Sequence, residues 1–345
     1  MITSRTTRSL GAVAGLAIAA LTLSACGDGP TSPDDASAAD RQTDAAPAPE
    51  DCDTPDELTV VRTLSTAFEI LYIADDAGIF EKHCLDVTIN LGATDTAQNI
   101  PMVLNGEADV AYSDPAKILG AIAQGLPIKV AVQHAAGDAS QEVADGVLLP
   151  PGSPVETGAD LEGRNVCVPG LGGWTEMLAR WAVDVDGGDH TKVDLVALPG
   201  ATLQESAETG ACDAIVPASI HYATALEAGF TRLHNGTNDF PGLPTMAAAV
   251  STAWAAENAD VLARFVQALA EASELANADV QLVRDVDAEH TQLDPEVVAT
   301  RFIPKFQVEL DIAATQEAVD LMYEYGIFSA PVDVAAAVAD GALTK

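Results

Sequence analysis

Apolar residues recur along the chain in two alternating patterns from Leu58 onward. One pattern, as in 85–91 (LDVTINL), alternates apolar with polar side chains and is typical of a half-buried strand. The other is helical. Asp114, Pro115 and Gly125 mark one such helix, because Asp caps helix starts, Pro fits the first turn and Gly follows the end. Strands that alternate with helices of about ten residues predict an α/β fold with mostly parallel sheets flanked by helices.

The predicted elements form two series, separated by a break at 150–154 (PPGSP). The predicted strands span 58–63, 85–91, 108–112, 128–133, 146–149, 165–168, 193–198, 214–216, 232–234 and 245–250. The predicted helices span 68–78, 96–104, 114–123, 175–185, 202–209 and 219–228, and we predict helix throughout after Asn258.

The length of the folded part predicts two lobes, because residues 57–345 exceed the roughly 250 residues at which a single core usually divides. We expect lobe one to comprise 57–145 and 239–345, and lobe two to comprise 146–238. The chain would then cross twice between the lobes through a hinge. A ligand would lie between the lobes, where the carboxyl ends of their strands face each other.

Residues 1–25 have the pattern of a secretory signal peptide. Arg5 and Arg8 precede an uncharged apolar run that is shorter than the roughly 20 residues of a membrane span. The sequence 23–26 (LSAC) resembles a lipoprotein signal, which predicts lipidation of Cys26 and anchoring to the outer side of the cell membrane. The alternatives are a cleaved signal with an incidental Cys, or a short uncleaved anchor. Residues 26–56, rich in Gly, Pro, Ser, Ala and Asp, predict a disordered tether.

The charge of the chain excludes one class of partner. Cleavage would remove Arg5 and Arg8 and no acidic residue, which leaves 14 basic against 52 acidic residues and a net charge of −38. Such a protein would be repelled by the phosphates of nucleic acid, so nucleic-acid binding is not expected.

Four cysteines remain besides Cys26, and an oxidising compartment permits them to form disulfides. Three pairings are possible, and four separate buried thiols are the alternative. We favour Cys52–Cys84 and Cys167–Cys212, because the first pair precedes the first two strands and the second pair lies in one half of the chain. No Cys-x-x-Cys or His-x-x-His spacing indicates a metal site, and we expect neither a metal nor a cofactor.

Several short motifs, in order, carry a resemblance to a known family. The segment 72–87 (YIADDAGIFEKHCLDV) resembles the first-lobe signature of the nitrate/sulfonate/taurine and thiamine-precursor binding proteins, in which Ala-x-x-x-Gly-x-Phe precedes a strand beginning Leu-x-Val. Cys84 stands where the family usually has Gly. Further stretches that resemble family landmarks are 105–110 (NGEADV), 125–128 (GLPI), 160–164 (DLEGR) and 210–214 (GACDA).

The resemblance implies the type II periplasmic-binding fold, with two lobes that close on a solute. It implies a monomer that hands a small molecule to an ABC permease and its ATPase, and it implies no catalysis. The alternatives are an enzyme of the same fold related to the thiamine-pyrimidine synthases, or a sensory solute receptor. The Cys-rich motif of those enzymes is missing from the sequence.

Candidate ligand residues in lobe one lie at the predicted strand ends. Ser65, Thr66 and the backbone amides at the next helix start can hold an acceptor-rich group, or they can simply cap that helix. Phe68 and Glu69 follow, although a carboxylate in a first helical turn often only complements the helix dipole. The remaining candidates of this lobe are Thr94, Ser113, Asp114 (mainly as a cap) and Gln133.

Candidate ligand residues in lobe two centre on the glycine-rich stretch 169–175 (PGLGGWT). Gly172 and Gly173 allow the backbone to approach a ligand, and Thr175 lies at the following helix start. Trp174 can stack on a planar ligand or can pack against the helix. Gly200 and Ser219 follow the next two strands.

These loops contain no Lys or Arg, whereas Glu69, Asp114 and Glu176 lie near the predicted cleft. The distribution favours a neutral or amine-bearing ligand over a simple oxyanion. The six histidines are scattered, and surface or packing roles are expected for them.

Overall fold

The computed structural model describes Cys52 and residues 54–62, 68–93, 96–141, 144–291 and 293–345, which belong to one compact unit. The predicted signal peptide, lipidated Cys26 and most of the predicted tether lie outside the described residues. The strands are β1 Asp56–Arg62, β2 Leu85–Leu91, β3 Val110–Ser113, β4 Ile128–Ala136, β5 Val147–Leu149, β6 Asn165–Val168, β7 Asp194–Ala197, β8 Ala214–Ile215, β9 Thr231–His234 and β10 Pro244–Ser251.

The helices alternate with these strands as far as β10 and then follow one another. They are α1 Glu69–Asp76, α2 Ile79–Lys82, α3 Ile100–Asn105, α4 Pro115–Ala123, α5 Trp174–Val185, α6 Leu203–Glu208, α7 Ile220–Glu227, α8 Thr252–Glu257, α9 Ala259–Ala278, α10 Val280–His290, α11 Pro295–Thr300, α12 Ile312–Glu324 and α13 Val334–Ala337.

Two five-stranded sheets form the two lobes, in the orders β2-β1-β3-β10-β4 and β7-β6-β8-β5-β9. In each sheet one strand runs against the other four: β10 in the first sheet and β5 in the second. These two strands are the ones that enter a sheet directly from the other lobe. The predicted α/β fold with mostly parallel sheets is therefore confirmed.

Buried apolar residues form three clusters around the sheets. One lies between the first sheet and α1, α9 and α10, and includes Val60, Phe265 and Val283. A second lies on the opposite face of that sheet, beside α4, and extends into lobe two, where it includes Trp174. A third, with Cys167, lies on the other face of the second sheet. The continuity of the second cluster means that the lobes are joined by packing as well as by the chain.

Both favoured disulfides are present: Cys52–Cys84, with Cα atoms 5.5 Å apart, and Cys167–Cys212, with Cα atoms 5.9 Å apart. The backbone of Cys84 has a φ of +59°, in the left-handed region that glycine adopts most readily. That conformation gives a physical reason for the glycine that the family usually has at this position.

The prediction of helix throughout after Asn258 was wrong in part. Between α11 and α12 the chain is extended and makes isolated bridges, Ala135 with Phe306 and Leu310 with Thr344, and Val130 makes another with Val338 near the C-terminus. Pro304 removes a backbone donor from this stretch and does not favour a helix. Phe306 and Val338 cover the outer edge of β4, an edge strand that would otherwise expose unpaired backbone groups.

The chain crosses between the sheets in two segments, 137–146 and 235–243, which contain the predicted lobe boundaries after residues 145 and 238. Gly137 and Gly242 lie side by side, since Gly242 N donates to Gly137 O (2.8 Å) and Gly137 N donates to Leu243 O (2.8 Å). The half-buried Asp145 accepts hydrogen bonds from the backbone N–H (2.8 Å) and the hydroxyl (2.9 and 3.0 Å) of Thr237. One carboxylate thereby joins the two crossings.

Burial raises the pKa of the Asp145 carboxyl to about 6, against the hydrogen bonds from Thr237, which lower it. The native state thus binds this proton more tightly than the unfolded chain, and ionisation costs stability as the pH rises from about 4 to 6. We predict that Asp145→Asn has nearly wild-type stability at pH 4 and gains about 1–3 kcal/mol relative to wild type at pH 7, measured by urea unfolding.

Asp138 is the matched control, because it lies in the same crossing and its pKa is lowered to about 2 by hydrogen bonds from Ser140 and Gln141. Its folded pKa lies below the unfolded value, so its contribution is present above pH 4 and is lost as the pH falls through about 2. Asp138→Asn should therefore be less stable than wild type throughout the range from pH 4 to pH 7. A difference between Asp145→Asn and wild type that did not change with pH would contradict the prediction.

Candidate functional site

The two lobes face each other across the carboxyl ends of β3 and β6. Asp114 follows β3 and begins α4, where its Oδ1 accepts a hydrogen bond from Ala116 N (2.8 Å), as the prediction of a cap requires. Gly173 follows β6, and a Cβ placed on it would lie 3.3 Å from Asp114 Oδ2. Asp114 of lobe one and the glycine loop of lobe two are therefore close neighbours. Burial also raises the pKa of Asp114.

The glycine loop ends in a hydrogen bond to its own helix. Gly172 has a φ of +81°, which turns the chain back toward α5, and its N–H donates to Glu176 Oε2 (2.9 Å). Arg180, one turn further along α5, donates to Glu176 Oε1 through Nη2 (2.9 Å) and Nε (3.2 Å). Both oxygens of the buried Glu176 carboxylate are engaged. These hydrogen bonds tie the glycine loop to the first two turns of α5.

Trp174, the first residue of α5, is buried, with 5% of its surface exposed. Its Nε1–H donates to Pro244 O (2.9 Å) at the start of β10, so the side chain bridges the lobes. This packing corresponds to the alternative role named for Trp174. Stacking on a ligand stays a prediction, and it requires the ring to be uncovered.

Phe68, at the start of α1, lies in an aromatic cluster inside lobe one. Its ring meets the ring of Tyr112 edge to face, with centroids 5.1 Å apart, and Tyr112 Oη is hydrogen-bonded to the ring of His134. All three side chains are fully or almost fully buried. Phe68 therefore contributes to the core in this arrangement.

Glu69 belongs to a buried ion cluster. It pairs with Arg301, which also pairs with Asp287 of α10, and all three side chains are at most 9% exposed. Burial raises the pKa of Glu69 to about 7, against the lowering effect of Arg301. Two carboxyl groups share one guanidinium here, so Glu69 joins the start of α1 to α10 and to the end of α11.

Ser113 of β3 and Gln133 of β4 lie on either side of β10, each opposite Ala247, and both are fully buried. Gln133 Nε2 donates to Glu309 O (2.6 Å), which ties β4 to the extended segment before α12. Gln133 Oε1 has no hydrogen-bond partner among the described residues. The side-chain amide of Gln133 thus lies against the extended segment before α12.

The lobe-two candidates after β7 and β8 occupy distinct surroundings. A Cβ on Gly200 would lie 2.9 Å from His221 Cδ2, so this loop contacts the first turn of α7. Ser219 adopts φ +53° and ψ −128°, a strained conformation for a residue with a side chain, and its N–H donates to Ala144 O (2.7 Å) in the first crossing. Thr175 is half-buried in the first turn of α5.

Three predicted ligand residues, Ser65, Thr66 and Thr94, lie outside the described residues. Of the others, the structure brings together Asp114, Gly172, Gly173 and Trp174 at the contact between the lobes. Phe68, Glu69 and Gln133 are engaged in the interior of lobe one instead. As ligand contacts, all of these residues stay predictions.

The hydrogen-bond and ion-pair partners of these residues could not be predicted from the sequence. Arg301 lies 232 positions from Glu69, and Pro244 lies 70 positions from Trp174. No local pattern connects positions so far apart, because the contacts arise from the return of the chain to lobe one. Arg180 had a local signal, since it follows Glu176 by one helical turn.

Two pockets lie outside the contact between the lobes. One, of about 10 Å³, lies beside the start of α1 and is far smaller than the roughly 300 Å³ of typical ligand sites. Its lining residues are Arg62, Phe68, Glu69, Tyr72, Val286, Asp287, His290 and Thr291. The other, of about 210 Å³, includes Ile128 and Lys129 at the amino end of β4. It therefore lies at the edge of the sheet opposite the strand ends considered above.

Within the described part of the chain, no three His, Cys, Asp or Glu side chains are grouped so that they could hold a metal ion. The helices described there are each too short or too polar to cross a membrane.

Two lobes of this topology, joined by two crossings and facing each other at their strand ends, define the periplasmic-binding-protein fold. The chain belongs to the NMT1/THI5-like family, whose model matches residues 65–281. Comparison with curated protein sequences gives no match.

Solved structures with the same fold include several binding proteins. The aliphatic sulphonate-binding protein SsuA of Escherichia coli is 19% identical, with a TM-score of 0.69 over 83% of this chain and 98% of the other. The alkanesulfonate-binding SsuA of Xanthomonas axonopodis pv. citri is 21% identical, with a TM-score of 0.64 over 83% and 98%. The nitrate-binding NrtA of Synechocystis PCC 6803 is 14% identical, with a TM-score of 0.62 over 82% and 84%. The resemblance to this fold, inferred from the motifs, is confirmed.

The bridge that Trp174 makes to Pro244 leads to a stability prediction. Trp174→Ala should lower the free energy of unfolding by about 3–5 kcal/mol, because it leaves a cavity between the lobes. Trp174→Phe keeps most of the apolar volume and loses the hydrogen bond, so it should cost about 1–2 kcal/mol. Urea unfolding measures both changes. A Phe variant as stable as wild type would show that the hydrogen bond to Pro244 contributes nothing.

Proposed function

We propose that this protein is a lipid-anchored, extracytoplasmic solute-binding protein that closes its two lobes on a small organic molecule and delivers it to an ABC-type importer. The observation that carries the proposal is the approach of Asp114, directly after β3, to Gly173, in the loop that leads from β6 to α5. Loops at the carboxyl ends of strands are where open α/β sheets bind ligands, and here loops of both lobes converge.

The membership of the NMT1/THI5-like family and the export signal in the sequence support the same proposal. The binding proteins named above share the fold, and fold similarity carries less weight for the ligand itself. An enzyme of the same fold has less support. The four cysteines of the described chain are paired in disulfides, so none of them offers a thiol nucleophile.

Solute binding is tested with a panel of amines, pyrimidines, sulfonates and nitrate. A solute that binds the native state alone raises its stability, by about 2.7 kcal/mol at a hundred times the dissociation constant. We expect at least one solute to raise the midpoint of thermal unfolding by several degrees and to bind with one-to-one stoichiometry by calorimetry. If no member of a broad panel binds, the proposal loses its main support.

Two glycines of one loop provide a matched pair of variants for the site. A side chain at Gly173 would project toward Asp114, and its extended backbone (φ −116°, ψ 179°) accepts any residue. A Cβ at Gly170, in the same loop, meets nothing within 4 Å. Gly173→Phe should therefore weaken solute binding at least tenfold and reduce solute uptake by cells, and Gly170→Phe should leave both near wild type. Equal effects of the two variants would place the site elsewhere.

The lipid anchor is tested by Cys26→Ser. Without a thiol there is no site for the lipid, so the protein should move from the membrane fraction to the soluble extracytoplasmic fraction. Substitution of Ser24, two residues earlier, by Ala keeps Cys26 and should leave the protein in the membrane fraction. A Cys26→Ser protein that stays with the membrane would refute lipid anchoring.

A further inference from the structure

The glycine loop of lobe two has the components of an anion site. It follows β6, it contains Gly172 and Gly173, and it leads into α5, whose N-terminal amides and dipole favour negative charge. A sulfonate, nitrate or carboxylate of a bound solute would find its hydrogen-bond donors in this place.

A carboxylate of the protein already occupies one backbone donor of this loop. Glu176 is 7% exposed, and its Oε2 accepts the hydrogen bond of Gly172 N at 2.9 Å. Its Oε1 is held by Arg180 at 2.9 and 3.2 Å. Glu176 thereby satisfies the Gly172 amide and neutralises the Arg180 guanidinium, both of which could otherwise bind a solute oxyanion.

The strand-end loops around this one add no positive charge, and the nearest cation on the lobe-one side is Lys117 in the first turn of α4, which interacts with Asp114. Asp114 Oδ2 lies opposite Gly173, and the strand-end loops 92–95, 169–173, 198–202 and 216–219 contain no Lys or Arg. An oxyanion entering here would have to displace a buried carboxylate that is fixed at both oxygens. It would also approach a second carboxylate across the cleft, at an unfavourable Coulomb energy.

We propose that Glu176 is a specificity-determining residue, which excludes oxyanions from the lobe-two loop and restricts this part of the site to uncharged or amine-bearing groups. This inference rests on the proposed function, because it assumes that a solute binds between the lobes. A cleft that contains Glu176 would differ from a site in which backbone amides at helix N-termini bind an oxyanion.

A first-turn carboxylate stabilises many helices without any role in specificity. Glu205 provides the matched control, because it lies at the same third position of α6, in the same lobe, and is exposed. Glu205→Ala changes the net charge and removes a first-turn carboxylate just as Glu176→Ala does. Unlike that of Glu176, the carboxylate of Glu205 accepts no hydrogen bond from a loop amide among the described residues.

The experiment measures binding of methanesulfonate and of nitrate by calorimetry and by thermal unfolding, at constant ionic strength, for the wild type and both alanine variants. We expect equally weak binding by the wild type and by Glu205→Ala. Glu176→Ala exposes Gly172 N and Arg180, and it should bind methanesulfonate at least about tenfold more tightly than the wild type. Glu176→Gln, which keeps an acceptor for Gly172, should gain less than the alanine variant.

If Glu176→Ala does not fold, the same comparison is made between Glu176→Gln and Glu205→Gln, and a gain confined to the former supports the proposal. Tight binding of either anion by the wild type would overturn the proposal while supporting solute binding as such. Equal responses of the variants at 176 and 205, or no response at 176, would also overturn it. Failure of every solute class on the wild type would instead count against the proposed function.

Discussion

The two chain crossings between the lobes are joined by the Asp145 carboxylate, which accepts hydrogen bonds from Thr237. Each crossing ends in a strand, β5 or β10, that runs against its neighbours in the sheet it enters. The crossings therefore set the position of both sheets. Since burial raises the pKa of Asp145, this link between the two crossings is also sensitive to protonation.

At the contact between the lobes, the Trp174 side chain lies beside the hydrogen-bonded glycine loop. Trp174 reaches from α5 to the start of β10, and the adjoining loop is closed on Glu176, which Arg180 holds. At this contact the Glu176 carboxylate and the Trp174 indole N–H both have hydrogen-bond partners. A shared fold leaves the choice of solute to such details, because ligand specificity resides in the residues at the strand ends and not in the sheets.

Lobe one has its own rigid interior beside this surface. The ion cluster of Glu69, Arg301 and Asp287 holds the start of α1 against α10, and the aromatic cluster around Phe68 packs directly beside it. A polar cluster this deeply buried is stabilising only when its charges stay paired, so removal of one partner would be costly.

Much of the fold could be predicted from the sequence, because its signals are local. Apolar periodicity gave the strands and helices, Asp114 and Pro115 marked the start of α4, and the positions of the cysteines favoured the two disulfides that form. The strand-end loops of the proposed site were predictable as loops, whereas the contacts that their residues make were less so. Arg301 meets Glu69 and Pro244 meets Trp174 because the chain returns to lobe one, so only the tertiary structure decided these contacts. Periodicity depends on neighbours a few residues apart, and the pairing of a buried charge or a buried indole depends on residues brought near by folding.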